Sequence, residues 1–205
     1  MSKKKVAIID AGFGNISSVN NAIKHLGFDF DIITTTSNLN THTHLILPGV
    51  GSFNKASKKL KSLGWFDAIK DFSKKSKPFL GICLGMQLMF ESGDEHGDGE
   101  GLGFFKGKCE KFSQQNKYPL PHVGFNLVKH SETNIWKNIP SPSPFYFVHS
   151  YRISNIKDEA IISKTFYGED FIAFIEKKKI FGAQFHPEKS HNVGLKLLKN
   201  FIDQD

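Results

Sequence analysis

Through the first half of the chain, short apolar runs alternate with stretches of helical periodicity. Residues 6–10 (VAIID) read as a buried parallel strand that ends in the glycine-rich turn 11–15. From 17 to 26 the apolar residues fall at 19, 22, 23 and 26, one face of a helix, with Gly27 placed as its C-terminal stop. Strands are expected at 31–35, 45–47 and 79–82, and helices at 52–63 and 65–74. From Leu84 onward, Met86, Leu88, Met89 and Phe90 give the pattern helical character. A strand–helix series with short connections predicts an α/β fold, a doubly wound and mostly parallel sheet flanked by helices.

The second half is richer in strand patterns, at 104–112, 121–128, 144–149, 160–165, 171–176 and 180–185. An amphipathic helix closes the chain over 192–202, with apolar residues at 193, 197, 198, 201 and 202. No internal repeat or low-complexity linker divides the halves. A single domain over 1–205 is expected, with the additional β-strands as part of it.

Composition narrows the function classes. At 205 residues there is volume for a sizeable core, and twenty Phe against four Tyr suit a buried sheet. No apolar window is long enough to predict a membrane span, and the apolar stretch after the initial lysines is too short for a signal peptide. Two distant cysteines make no disulfide framework, so a reduced, cytoplasmic protein is expected. The net charge of +7 raises nucleic acid as a partner, but Arg152 is the only arginine. The lysines are scattered over 3–5, 58–61, 74–77 and 177–179, as on solvated faces. Recognition of phosphates and bases favours the arginine fork, so no nucleic-acid partner is expected.

The chemistry concentrates around Gly81-Ile82-Cys83-Leu84-Gly85. Small residues two positions either side of Cys83 suit the strained strand-to-helix turn that projects a nucleophile, the G-x-S-x-G elbow with a thiol in place of the hydroxyl. At the start of a helix, free N–H groups favour thiolate. The alternative is an inert cysteine at the end of a core strand, although neither flanking glycine helps a strand or a helix. Cys109 lacks such a setting and receives no role.

A thiol nucleophile needs a base. His186 follows an apolar strand, where a doubly wound sheet places its active groups, and Glu188 stands two residues on to fix the tautomer. A surface histidine in a turn is the plainer alternative. Pro48-Gly49-Val50-Gly51 closes another strand with two glycines able to aim N–H groups at an oxyanion, against an ordinary glycine-rich turn. No Gly-Lys-Ser/Thr follows this loop, and Gly12-Phe13-Gly14 lacks the third glycine of a dinucleotide site.

Seven segments in order resemble the class I glutamine amidotransferases, the triad family whose elbow reads G-x-C-x-G. They are Ile8-Ile9-Asp10 with Gly14-Asn15, residues 47–53, residues 81–87, Gly101-Leu102-Gly103, Pro121-His122-Val123-Gly124, residues 146–151, and residues 184–190. Within the family the chain is most similar to the glutaminase subunits of imidazole glycerol phosphate synthases. The resemblance implies a flavodoxin-like glutaminase fold and hydrolysis of L-glutamine to glutamate and ammonia through a thioester on Cys83. His186 would move the protons and Glu188 orient it, with the Val50 and Leu84 N–H groups as oxyanion hole. Gly51, Gln87, Glu95, His149 and Ser150 match glutamine-binding positions. The acidic stretch 91–100 is otherwise read as a solvated loop, at Asp98 and Glu100 above all. The family delivers its ammonia to a (β/α)8-barrel synthase in a heterodimer, and Asn15, Tyr146 and Lys189 match interface positions. No cofactor and no metal is implied.

Some residues depart from the pattern. The motif usually written H-x-G-W-N reads His122-Val123-Gly124-Phe125-Asn126, Arg152 follows Tyr151, and His191-Asn192 follow Ser190. These resemble a paralogous branch whose partner amidates a nucleotide-linked or surface-glycan sugar, so the ammonia acceptor stays open between the two. A stand-alone γ-glutamyl peptidase-like hydrolase and a non-enzymatic binding module are the readings from other classes.

Overall fold

A computed structural model describes residues 4–113 and 117–205, so Lys3 of the N-terminal lysine run lies outside the described residues. In chain order the elements of the first half are β1 (Lys5–Ile9), α1 (Ile16–His25), β2 (Asp29–Ile33), β3 (His44–Gly49), α2 (Phe53–Ser62), α3 (Trp65–Lys74), β4 (Phe79–Cys83) and the short α4 (Leu84–Gln87). There follow β5 (Phe90–Gly93), β6 (Gly99–Glu100), β7 (Phe105–Lys111), β8 (His122–Val128), β9 (Ser143–His149), β10 (Tyr151–Ile153), β11 (Ile161–Tyr167), β12 (Glu169–Lys177), β13 (Ile180–Ala183) and α5 (His191–Ile202).

The main sheet has seven strands in the order β11-β12-β13-β4-β3-β1-β2. From β13 to β2 the neighbours are parallel, the flavodoxin-like pattern, while β12 pairs antiparallel with both β13 and β11. Side chains of β1 alternate between two cores, as the two-residue strand period requires. Val6 and Ile8 pack with Val19 and Ile23 of α1 and with Leu197, Leu198 and Phe201 of α5. Ala7 and Ile9 pack on the other face with Leu60 of α2 and Trp65, Ile69 and Phe72 of α3. Both faces are therefore covered, and β3 and β4 are buried along their whole length. The phenylalanines fill these cores: every one of the largest fully buried side chains except Trp65 is a Phe.

Two smaller sheets hold the additional strands, β10-β7-β5-β6 and the hairpin β8-β9. Periodicity does not reveal β5, β6 or β10, which are four, two and three residues long and too short to register a pattern. The helix after Cys83 also stops earlier than its apolar residues suggest. N–H groups of 101–104 take the carbonyls of Leu88, Met89, Phe90 and Glu91, which turns that segment outward into β5. The acidic stretch is correspondingly more ordered than a solvated loop. Asp98 is exposed, but Glu100 lies in β6 and pairs with Lys61. Among the described residues no helix is long and apolar enough to cross a membrane.

Candidate active site

The C-terminal ends of β3, β4 and β13 lie side by side, with Gly49 opposite Cys83 and Ala183 opposite Ile82. Cys83 is the last residue of β4 and the residue before α4, and its φ of 55° and ψ of −109° are a strained combination for a side chain. Such a conformation costs about 1–3 kcal/mol and persists only where the surroundings enforce it. Packing enforces it here. A Cβ on Gly81 would lie 2.6 Å from the Gly85 carbonyl atoms, and one on Gly85 would lie 1.9 Å from the Leu47 carbonyl oxygen. Both flanking glycines are therefore required by close backbone approach. Gly85→Ala forces β3 away from α4 and is expected to destabilise the fold by at least about 3 kcal/mol in equilibrium unfolding, the upper end of ordinary overpacking. Wild-type stability of that variant would remove this account of the elbow.

Past β13 the chain enters a single 3-10 turn, Pro187–Lys189, which folds Glu188 back onto His186. His186 Nδ1 lies 2.7 Å from Glu188 Oε1, and both side chains are almost fully buried. The segment is pinned from below. His186 N donates to Tyr146 O (2.8 Å), while the Ser190 hydroxyl accepts from Tyr146 N and donates to His186 O. A carboxylate can only accept, so Nδ1 carries the proton. Nε2 is left buried with no hydrogen-bond partner among the described residues. Burial pulls the imidazole's proton affinity down, but the neighbouring Cys83 and the Glu188 carboxylate outweigh it and hold it above the usual histidine range. The thiol itself points to Val148 O, 3.9 Å away.

A cavity of about 230 Å³ opens at Cys83. Its lining includes all five residues matched to glutamine binding (Gly51, Gln87, Glu95, His149 and Ser150) together with Val50 and Leu84. Glu95 Oε2 accepts from Phe53 N at the start of α2 (2.9 Å), which holds the carboxylate at the cavity. Gln87 is nearly buried, and its Nε2 donates to Tyr151 O (3.0 Å) and Gln184 Oε1 (3.1 Å), so only its carbonyl oxygen remains for a ligand. His149 Nδ1 donates to Tyr151 O (2.7 Å) and its Nε2 accepts from His122 Nδ1 (3.1 Å). That ring has no polar atom left over, so His149 can offer a ligand hydrogen bonds only through its backbone. Gly51, with φ of 108°, takes a conformation that favours glycine. A larger open depression at 132–140, about 700 Å³, holds no nucleophile–base pair.

Pro121, Val148, Tyr151 and Gln184 also belong to this site, and the sequence pattern assigns none of them a role. No signal in the sequence alone points to Gln184: only once β13 is known as the parallel neighbour of β4 does the residue after Ala183 fall beside Cys83. Cys109 is fully buried, and burial pushes its thiol well up, in keeping with a bystander. The three residues matched to an interface are not part of the cavity. Asn15 caps α1 by accepting from Ser18 N (3.3 Å). Lys189 is exposed, with its ammonium 5.8 Å from the centre of the Tyr146 ring. Phe125, half exposed, packs edge-on to Tyr146 and stacks on His191 at 5.2 Å.

Known proteins are similar to this chain over nearly its whole length. A chain from Methanococcus maripaludis, imidazole glycerol phosphate synthase subunit HisH 2, is 45% identical over 97% of this chain and 99% of its own length. Imidazole glycerol phosphate synthase subunit HisH 1 of Campylobacter jejuni strain RM1221 is also 45% identical, over 96% of this chain and 98% of its own. Among solved structures, the Thermotoga maritima PurLQS structure matches with a TM-score of 0.74 at 16% identity, covering 98% of each chain. A glutamine amidotransferase from the same organism superposes with a TM-score of 0.66 at 15% identity, covering 100% of each chain. At those identities the likeness is one of fold. The family model for class-I glutamine amidotransferases matches residues 7–204, and the chain belongs to that family.

Proposed function

We propose that the chain is the glutaminase subunit of an imidazole glycerol phosphate synthase, with Cys83, His186 and Glu188 as its triad. The observation that carries the chemistry is a buried imidazole oriented by Glu188, with its other nitrogen unpaired beside an elbow cysteine. The pathway is supported by the relatives, which are named as subunits of that synthase and match almost end to end.

In this reading the Cys83 thiolate attacks the side-chain carbonyl carbon of glutamine, forming the C–S bond. The Val50 and Leu84 N–H groups receive the negative oxygen of the tetrahedral intermediate. His186 Nε2–H protonates the departing nitrogen, the C–N bond breaks, and ammonia leaves a γ-glutamyl thioester. The same nitrogen then takes a proton from water, which attacks the thioester to release glutamate and the thiolate. Glu188 keeps its bond to Nδ1 throughout and stabilises the imidazolium. The free Glu95 oxygen and the Gln87 carbonyl hold the α-ammonium group of the substrate, opposite charge to charge and acceptor to donor. Ammonia passes to a (β/α)8-barrel partner docked over Asn15, Tyr146 and Lys189.

One observation favours a second acceptor. Two departures from the family pattern, Phe125 and His191, stack on each other beside Tyr146, so they alter the proposed docking face and leave the triad alone. A partner that amidates a nucleotide-linked sugar is the alternative. The test is to purify the chain with its barrel partner and supply glutamine with each acceptor class in turn. Formation of imidazole glycerol phosphate is the expected product, and amidated sugar alone would replace the pathway. Unaided hydrolysis of γ-glutamyl peptides, without stimulation by any partner, would remove the amidotransferase reading.

A further inference from the structure

The nucleophile has a further side-chain polar neighbour besides His186. Gln184 is fully buried, and its Nε2 lies 3.7 Å from Cys83 Sγ. Which end of this amide faces the sulfur is settled by its neighbours. Tyr151 O can only accept, so the atom of Gln87 that meets it is the nitrogen. The same Gln87 nitrogen meets Gln184 at 3.1 Å, which makes that atom of Gln184 the oxygen. The remaining end, an N–H donor, points at the thiol. A main-chain bond from Gln184 N to Ala173 O (2.9 Å) holds the residue between two strands of the central sheet.

We propose that Gln184 is a catalytic residue that donates a hydrogen bond to the Cys83 thiolate, and that Gln87 is the positioning residue that keeps its amide in the donating orientation. As a thiol, the sulfur donates to Val148 O and accepts from Gln184. Once ionised, the sulfur can only accept. The carbonyl of Val148 then opposes the negative charge, whereas the Gln184 bond strengthens as a charge-assisted one. Gln184 thus favours the nucleophilic form without exchanging a proton, a role distinct from that of His186. The inference rests on Cys83 being the glutaminase nucleophile.

The test reads the thiol directly. Alkylation of Cys83 by iodoacetamide, followed across pH by peptide mapping, gives a midpoint and a high-pH plateau rate. Gln184→Met keeps the length but removes the donor, and is expected to move the midpoint up by about one pH unit. Gln184→Glu, matched in volume, puts a carboxylate beside the sulfur and moves it further. In the complex with the barrel partner, kcat for glutamine hydrolysis falls about tenfold or more in both, with KM little changed. A residue that only packs would alter the plateau rate and the melting temperature while the midpoint stayed put. Wild-type midpoints in both variants, in folded protein that hydrolyses glutamine, overturn the proposal. Absence of glutamine hydrolysis in the wild-type complex overturns the glutaminase reading instead, whatever the alkylation midpoints.

Discussion

Cys83→Ala in the assembled complex is expected to lower glutamine-dependent synthesis by at least ~10³-fold while leaving synthesis from added ammonium salts nearly intact. The sulfur is the only atom at the elbow able to form the thioester, and the residual rate without it is that of an oxyanion hole acting on bound substrate. The substitution is structurally mild. Cys83 is one of several side chains facing its core cluster, its thiol lies beside His186 with long contacts to Val148 and Gln184, and its backbone is dictated by the two glycines. Ammonia supplied from solution bypasses the thiol and reaches the acceptor on the partner. Measuring both rates on one preparation separates the outcomes: loss of both would mean that Cys83 supports the docking of the two proteins, and retention of both would end its role as nucleophile.

Stability is expected to fall steeply as pH drops from 6.5 towards 4. Burial lowers His44 and His122 to about 4, and lowers His149 to about 3 against the opposing bond to Tyr151. Geometry agrees, since the His122–His149 bond cannot form with both rings charged, and His122 is stacked on Tyr167 at 4.0 Å. Between these values and the unfolded 6.5, the unfolded chain binds more protons than the folded one. The stabilisation is therefore complete above 6.5 and is lost as pH falls through the folded values. Each proton contributes about 1.4 kcal/mol per pH unit, so three approach a slope of about 4 kcal/mol per pH unit. Glu176, raised by burial, offsets at most one of them. His186 acts in the other direction: with its affinity raised, it adds stability below 6.5 that is lost as pH rises above it. The optimum should lie close to 6.5. Denaturant titrations at several pH values between 5 and 8 measure the slope, and His44→Gln, which keeps a donor for Gln204 O, should remove about a third of it. A flat profile below 6.5 would refute this account.

The parts of the molecule that were legible in the sequence are those built from local rules. The first seven elements follow from local pattern: the helices show one buried face, β1, β3 and β4 are short apolar runs, and α3 begins and ends at Trp65 and Lys74 as expected. The elbow was legible through two glycines whose need is steric. What escaped notice depends on contacts between distant segments. The early stop after Gln87 is decided by N–H groups of 101–104, and β10 exists because three residues pair with β7. The Gln184 amide escaped for the same reason. Its function is invisible until β13 is known to lie against β4, since a buried glutamine in a core strand carries no chemistry by itself. Gln87 was read as a substrate contact from its position alone, and its nitrogen proves to be engaged within the protein.

The strand order has a consequence for how the protein is made. During synthesis β3 and β4 emerge early, with the thiol already at the end of β4, whereas β13 is the last strand and inserts between β4 and β12 in the middle of the sheet. Until then one edge of β4 has no partner, an open template for strand pairing with other chains. Closing it requires a contact about a hundred residues apart in sequence, as the Cys83–Gln184 pair shows, which belongs to the slow part of folding. The segment that seals the aggregation-prone edge also brings His186, the proposed base, so a nascent chain carries Cys83 without that imidazole, and the proposed reactive centre is completed only when the sheet is.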